Sequence, residues 1–165
     1  MKIETGQVAV VTGGTSGIGF ALADALVRRG VNVMIADIRE DAIPVAVDAL
    51  AGRPGHAAGV RVDVSVEADL DALADETIER FGRVDLVCNN AGVVCENAPT
   101  WEQRPGTWRW LIDVKLMGVV NGVRALPRCS SRRAPAISST PRRRADSWHC
   151  PRWHLMRPPC MRWSD

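Results

Sequence analysis

Between the apolar run Gln7–Val11 and a helix-patterned segment lie eight residues, Thr12-Gly13-Gly14-Thr15-Ser16-Gly17-Ile18-Gly19, four of them glycine. A strand joined to a helix through this much glycine leaves few architectures open. Gly13 permits a tight turn out of the strand. Gly17 lets the backbone come close to a pyrophosphate, whose charge sits at the helix N-terminus, and Gly19 allows close helix–strand packing. Thr15, Ser16 and Ile18 complete the turn and join the three glycines as candidate cofactor-binding positions. Glycine also builds ordinary loops. The strand–turn–helix setting makes this stretch a nucleotide-site signal.

The rest of the first 125 residues repeats the alternation. Ile18, Ala21, Leu22, Ala25 and Leu26 recur at helical spacing, with Gly30 as a stop. Val31–Ala36 predicts a second strand, and Asp41–Leu50 a helix capped by Asp41 with Pro44 in its first turn. Val60–Val64 predicts a third strand. Ser65 is the expected cap of a helix running through Arg80, with Gly82 beyond it. Val84–Cys88 predicts a fourth strand, entering Asn89-Asn90-Ala91-Gly92, and a long helix follows from about Thr107 to Ala125. Short apolar strands alternating with amphipathic helices imply a parallel sheet, in an α/β Rossmann-type doubly wound fold with strand order 3-2-1-4. Asp37 ends the second strand, 18 residues beyond Gly19. A carboxylate there accepts hydrogen bonds from both ribose hydroxyls of NAD and repels a 2′-phosphate. Read alone, it is also an ordinary turn-opening Asp. Arg39 stands close enough to keep NADP possible.

Composition divides the chain. Residues 1–124 carry 12 basic and 17 acidic side chains, a balance of −5, whereas 125–165 hold nine Arg and two Asp, a balance of +7. All 14 Gly and all 20 Val precede residue 125. The following 41 residues have no Gly, Val or Lys but contain six Pro, and neither strand nor helix periodicity continues. Two domains of sequence follow: a dinucleotide-binding half-domain over 1–124 and an irregular basic tail over 125–165, expected to be disordered. The five cysteines form no CxxC pair, and the N-terminus lacks a secretory pattern, as expected of reduced thiols in a cytoplasmic protein. No apolar run reaches the ~20 residues of a membrane span. Arg142–Arg144 is a weak nucleic-acid patch, and His149, Cys150, His154 and Cys160 match no common zinc spacing. Neither a metal nor a nucleic-acid partner is expected.

Residues 6–124 resemble the short-chain dehydrogenase/reductase family. The resemblance rests on the TGxxxGxG pattern at Thr12–Gly19, the acidic Asp37, the Asp63-Val64 pair after the third strand, NNAG at Asn89–Gly92, and the helix segment Trp110–Val120. It implies that Asp63 and Val64 lie at the adenine ring, and that Asn90, Ala91 and Gly92 line the cofactor and steady the sheet. It also implies NAD(P)-dependent interconversion of an alcohol and a carbonyl. Without the family, Asp63 reads as a helix-approach turn residue and NNAG as a plain turn.

Two departures bear on activity. Lys115 occupies the position where the family has Asn, which anchors a water in the proton relay. The family's catalytic Ser and Tyr-x-x-x-Lys are missing: the chain contains no Tyr, and no Lys follows Lys115. Codons for residues 135–165 read two bases later permit the family's next strand, its Ser and its Tyr. The code forces Ala from Trp148-His149, Leu from His149-Cys150 and Ala from Trp153-His154, and all three fit. Pro159-Cys160 gives Leu, Met or Val where the family has Lys, so a single frame slip near Ala125 does not restore the whole pattern. The expectation is a truncated fold that binds NAD, with NADP possible, and lacks its own catalytic residues. The alternative is a non-catalytic nucleotide-binding fragment. Neither the substrate nor the oligomeric state is legible.

Overall fold

The computed structural model describes residues 2–95 and 98–126. Four parallel strands, β1 (Val8–Thr12), β2 (Asn32–Asp37), β3 (Ala57–Arg61) and β4 (Leu86–Cys88), form one sheet in the order β3-β2-β1-β4. This is the expected doubly wound α/β arrangement. Its helices are α1 (Gly17–Val27), α2 (Ala42–Ala49) and α3 (Glu67–Phe81). A further helical stretch comprises α4 (Pro105–Ile112), a π-helical turn (Asp113–Met117) and α5 (Gly118–Ala125).

Period-two alternation along the strands divides the core between two faces. Ala9, Val11, Val33 and Ile35 pack with Ala23, Leu26 and Val27 of α1 and Ala46 of α2. Val10, Met34, Ala36 and Ala58 point the other way, onto Leu70, Leu73 and Ala74 of α3 and Ala125 of α5. Each fully buried Val, Leu, Ile or Met side chain here is worth about 1.5–3 kcal/mol. Gly82 closes α3 in the left-handed region at φ 79°, its N–H donating to the Ile78 carbonyl at 2.8 Å.

The structure corrects four local expectations. β3 begins at Ala57 rather than Val60, and Val62–Val64 lie beyond the strand. The β-branched run misleads because the paired residues here are small for a reason: a Cβ on Gly59 would collide with Ile43 Cγ2 of α2. Ser65 does not cap α3. Val66 holds the N-cap position, and the Ser65 hydroxyl instead donates to Asp63 Oδ1 at 2.6 Å. Asp41 precedes α2 with helical backbone angles and makes no side-chain capping bond. The last helix starts two residues early because Pro105 suits a first turn, where its missing N–H costs nothing. Of the irregular tail expected over 125–165, Ala125 instead ends α5 and Leu126 is buried in the core, while residues 127–165, with the expected disorder and frame slip, lie outside the described residues.

Among the described residues β4 pairs only with β1, and its three residues are half-buried, whereas every residue of β1 is buried. The last helical stretch also exposes Trp108, Ile112, Leu116, Val120 and Val123, the last two 45% and 59% exposed. Unpaired edges and large apolar patches invite association. The purified chain is expected to self-associate, with a weight-average mass in light scattering that rises across a concentration series. A strictly monomeric species with one cooperative, high-temperature melt would contradict this.

Candidate functional site

The Gly-rich turn leaves the C-terminal end of β1, and Thr12 organises what surrounds it. Thr12 is 2% exposed. Its hydroxyl oxygen accepts from the backbone N–H groups of Asn90 and Ala91 at 3.0 and 3.1 Å and donates to the Cys88 carbonyl at 3.4 Å. The Asn90 amide donates in return to the carbonyls of Thr12 and Gly13, at 3.0 and 3.3 Å. The segment after β4 is thereby stitched to the turn after β1. Gly13 and Gly14 both donate to the Ala36 carbonyl, which ties the same turn to the end of β2.

Gly13 has φ 65°, and a Cβ there would lie 2.9 Å from Ala91 Cα. Gly17 has φ 54° with nothing within 4 Å of a built Cβ, so its backbone faces open space. Gly19 departs from expectation in its partner. A Cβ on Gly19 would strike the Gly13 carbonyl and come within 2.6 Å of the Asn90 amide, so its smallness serves the turn and Asn90 rather than helix–strand packing. Ser16 holds the N-cap position of α1 without a capping hydrogen bond. The first N–H groups of the helix are thus left without a side-chain cap, the condition in which a helix N-terminus receives an anion.

Asp37, 6% exposed, accepts four hydrogen bonds. Thr15 donates from its N–H at 3.1 Å and its hydroxyl at 2.5 Å, and Arg39 from its N–H at 3.1 Å and Nε at 3.4 Å. Burial pushes the carboxyl pKa up, but the hydrogen bonds from Thr15 and Arg39 together outweigh it and hold the group below its ordinary value. A depressed folded-state pKa means that this ion's stabilisation is present above the unfolded carboxyl value and is lost as pH falls through the folded one. Arg39 also reaches across the turn, donating from Nη2 to the hydroxyls of Thr15 and Ser16, both at 2.7 Å.

These parts enclose a cavity of about 550 Å³. Gly13, Ser16, Ile18, Gly19 and Asp37 line one side; Asp63, Val64, Asn90, Ala91 and Gly92 line the other. Of the residues expected from sequence, Thr15 and Gly17 are not in the lining. Thr15 acts behind it, as a donor to Asp37. Asp63 both lines the cavity and builds its loop: its Oδ1 accepts from Ser65 N–H and hydroxyl, and its N–H donates to Asp69. Ile18 is apolar yet 81% exposed at the cavity mouth. Lys115 lines not this cavity but a neighbouring groove, with its Cε 3.9 Å from where a Cβ on Gly92 would stand.

Sequence reasoning missed the far wall and its support. Trp110 and Val114, four apart on the last helical stretch, line the cavity. That i, i+4 spacing was the available signal. Asn121 donates to the Val64 carbonyl at 3.1 Å, and a Cβ on Gly118 would lie 2.8 Å from Val64 Cγ2. Together these two positions of α5 hold the Val64 loop against the site.

The donor set fits a dinucleotide: an uncapped helix start behind glycines for a pyrophosphate, a carboxylate at the neighbouring strand end for ribose hydroxyls, and apolar walls for flat rings. Comparisons with known proteins agree with this arrangement. The family model described as short chain dehydrogenase matches residues 7–137. A 3beta-hydroxysteroid dehydrogenase 2 from Eggerthella lenta is 34% identical over 126 residues, 76% of this chain and 48% of that protein. A cis-4-hydroxycyclohexanecarboxylate dehydrogenase from Sinomonas cyclohexanicum is 41% identical over 79% of this chain and 53% of its own length. The solved structure of a short chain dehydrogenase/reductase from Burkholderia phymatum in complex with NAD superposes with a TM-score of 0.73 at 41% identity. It covers 79% of this chain and 46% of that one. The chain spans about half the length of the relatives it matches. No described helix is long and apolar enough to cross a membrane. A glycine turn, acidic strand end and NNAG segment that converge on one cavity, matched across most of the chain, place it in the short-chain dehydrogenase family.

Proposed function

We propose that the described residues form the nicotinamide-dinucleotide site of an oxidoreductase interconverting an alcohol and a carbonyl, with NAD preferred over NADP. We propose further that the 165-residue chain binds the cofactor without turnover. The carrying observation is Asp37, ionised and nearly buried at the cavity edge, where a 2′-phosphate would meet its charge. When bound, the nicotinamide supplies the hydride acceptor or donor. The chain's own residues bind and orient it. Backbone groups at Gly13–Gly19 take the pyrophosphate, Asp37 takes the adenosine ribose by displacing its weakest donor, Arg39 Nε, and Asp63 and Val64 flank the adenine. In this reading, supported by the family resemblance, Asn90, Ala91 and Gly92 run along the cofactor. The cytoplasmic location, a small-molecule substrate as partner of a full-length form, and the absence of metal, membrane and nucleic-acid partners belong to the same reading. The competing reading, a nucleotide-binding fragment that never catalyses, is favoured by the missing Tyr and by the lack of any Lys beyond Lys115.

Calorimetric titration with both cofactors tests the preference. NAD is expected to bind more tightly than NADP. Asp37→Ala removes hydrogen bonds to a charged acceptor, worth about 1.5–3 kcal/mol, so NAD binding should weaken roughly ten- to a hundredfold. NADP should lose less, because Arg39 and the hydroxyls of Thr15 and Ser16 remain. Tighter binding of NADP by the unaltered chain would overturn the assignment.

A further inference from the structure

Trp110 is the one aromatic side chain among the described residues that line the dinucleotide cavity. It is 46% exposed and sits in neither of the two core clusters, so the fold leaves nearly half of its surface uncovered. It also stands apart from the exposed face of Trp108 and Ile112. It is two residues from each along α4, and residues two apart on a helix do not face the same way. Val114, one turn further on, lines the same cavity and packs onto the core beneath it.

The position of a bound base follows from Asp37. A base is joined directly to the ribose that this carboxylate would hold, so its ring must lie next to it. Val62 is the nearest neighbour on the β3 side, its N–H donating to the Asp37 carbonyl at 2.9 Å. Ile38 follows Asp37 in the chain, and Ile38, Val62 and Val64 all line the cavity. Val64 is in turn fixed to the last helical stretch through Asn121 and Gly118. The apolar lining therefore leads from Asp37 across the Val64 loop to the helix that carries Trp110.

We infer that Trp110 is the wall on which the adenine ring rests, so that its indole sets the affinity for the adenosine half of the dinucleotide and not for the nicotinamide half. This rests on the dinucleotide reading above. An indole offers a large, rigid face that loses little rotamer freedom on binding, and a flat ring packs on it in offset or edge-on geometry. The surface left bare in the empty cavity is thereby covered by an apolar ring.

The 165-residue chain is titrated with NAD and with adenosine 5′-monophosphate (AMP), followed by calorimetry and by tryptophan emission. Removing an aromatic partner from a stacked base weakens binding about five- to a hundredfold. Trp110→Ala is therefore expected to weaken NAD and AMP at least about fivefold, and by a similar factor. Trp110→Phe should keep most of the affinity, because a phenyl ring also stacks. It should also lose most of the ligand-induced emission change, although five tryptophans remain. Unchanged circular dichroism spectra would show that both variants fold. An unaffected Trp110→Ala variant, NAD weakened with AMP unchanged, Trp110→Phe as damaging as Trp110→Ala, or binding of NAD without AMP would each overturn this inference alone. Binding of neither ligand by the unaltered chain would overturn the dinucleotide reading and this inference with it.

Discussion

Purified 165-residue chain is expected to form no NADH from any member of a broad alcohol panel, even at saturating NAD. Oxidising an alcohol requires a base that takes the hydroxyl proton as hydride leaves. Positioned acid–base catalysis contributes about 10²–10⁴-fold, and a hydrogen bond to developing charge on the carbinol oxygen about 10²–10³-fold more. The family residues that supply both are absent from the sequence. The described cavity offers no substitute: its ionisable lining groups are Asp37, Arg39 and Asp63. Asp37 and Asp63 are each committed to hydrogen bonds at the cavity wall, and Arg39 is spread over Asp37, Thr15 and Ser16. Lys115 opens onto the neighbouring groove. Absorbance at the NADH band, followed over hours, provides the assay. A gene with its frame restored after Arg124 and a complete Tyr-x-x-x-Lys should turn over. Turnover by the 165-residue chain itself, lost in Lys115→Ala, would reveal a base that this account does not contain.

Gly19→Ala is expected to be among the most damaging single-methyl additions in the chain. The new Cβ would overlap the Gly13 carbonyl and crowd the Asn90 amide at 2.6 Å. Neither can retreat freely. Gly13 N–H is bonded to Ala36 at 2.7 Å, and Asn90 is bonded to Thr12 through both backbone and side chain. Overpacking costs about 1–3 kcal/mol, and disturbing the half-buried Asn90 donor adds to that. Against a total of about 5–15 kcal/mol for an ordinary domain, that removes a large share. Urea denaturation should show the loss, and NAD affinity should fall more than tenfold. Gly17→Ala is the comparison: it meets no atom within 4 Å and bears only the strain of φ 54°, about 1–2 kcal/mol. A Gly19→Ala protein within about 0.5 kcal/mol of the parent, the usual range for a neutral surface change, would show that the turn yields.

What could be read from the sequence and what could not separate along a physical line. Strand order was legible because glycine, β-branched runs and helical spacing are local signals, and parallel crossovers leave few ways to join them. Asp37 was legible because its place at a strand end, beyond a glycine turn, is itself the signal. Thr12 was not: one hydroxyl that organises two loops depends on Asn90 and Ala91, 78 and 79 residues away. Asn121 and Gly118 escaped for the same reason, since their importance lies in the Val64 loop they meet. At β3 the local signal was misleading, because Ala57 and Gly59 are small on the face that α2 covers, and Ala58 on the face toward α3, not because they avoid a strand.

The order β3-β2-β1-β4 also sets a timetable for assembly. Strands one, two and three are neighbours in sequence as well as in space, so they can pair as soon as the chain reaches Arg61. β4 must return to the far side of β1, closing a loop of more than seventy residues between Ala9 and Leu86. Its closure entropy is spent before any contact rewards it. Asn90 and Ala91 reach Thr12 only with that last pairing. A nascent chain therefore exposes a three-stranded sheet before it owns a complete cavity, and a ligand that needs both loops could not rescue the folding of any shorter stretch.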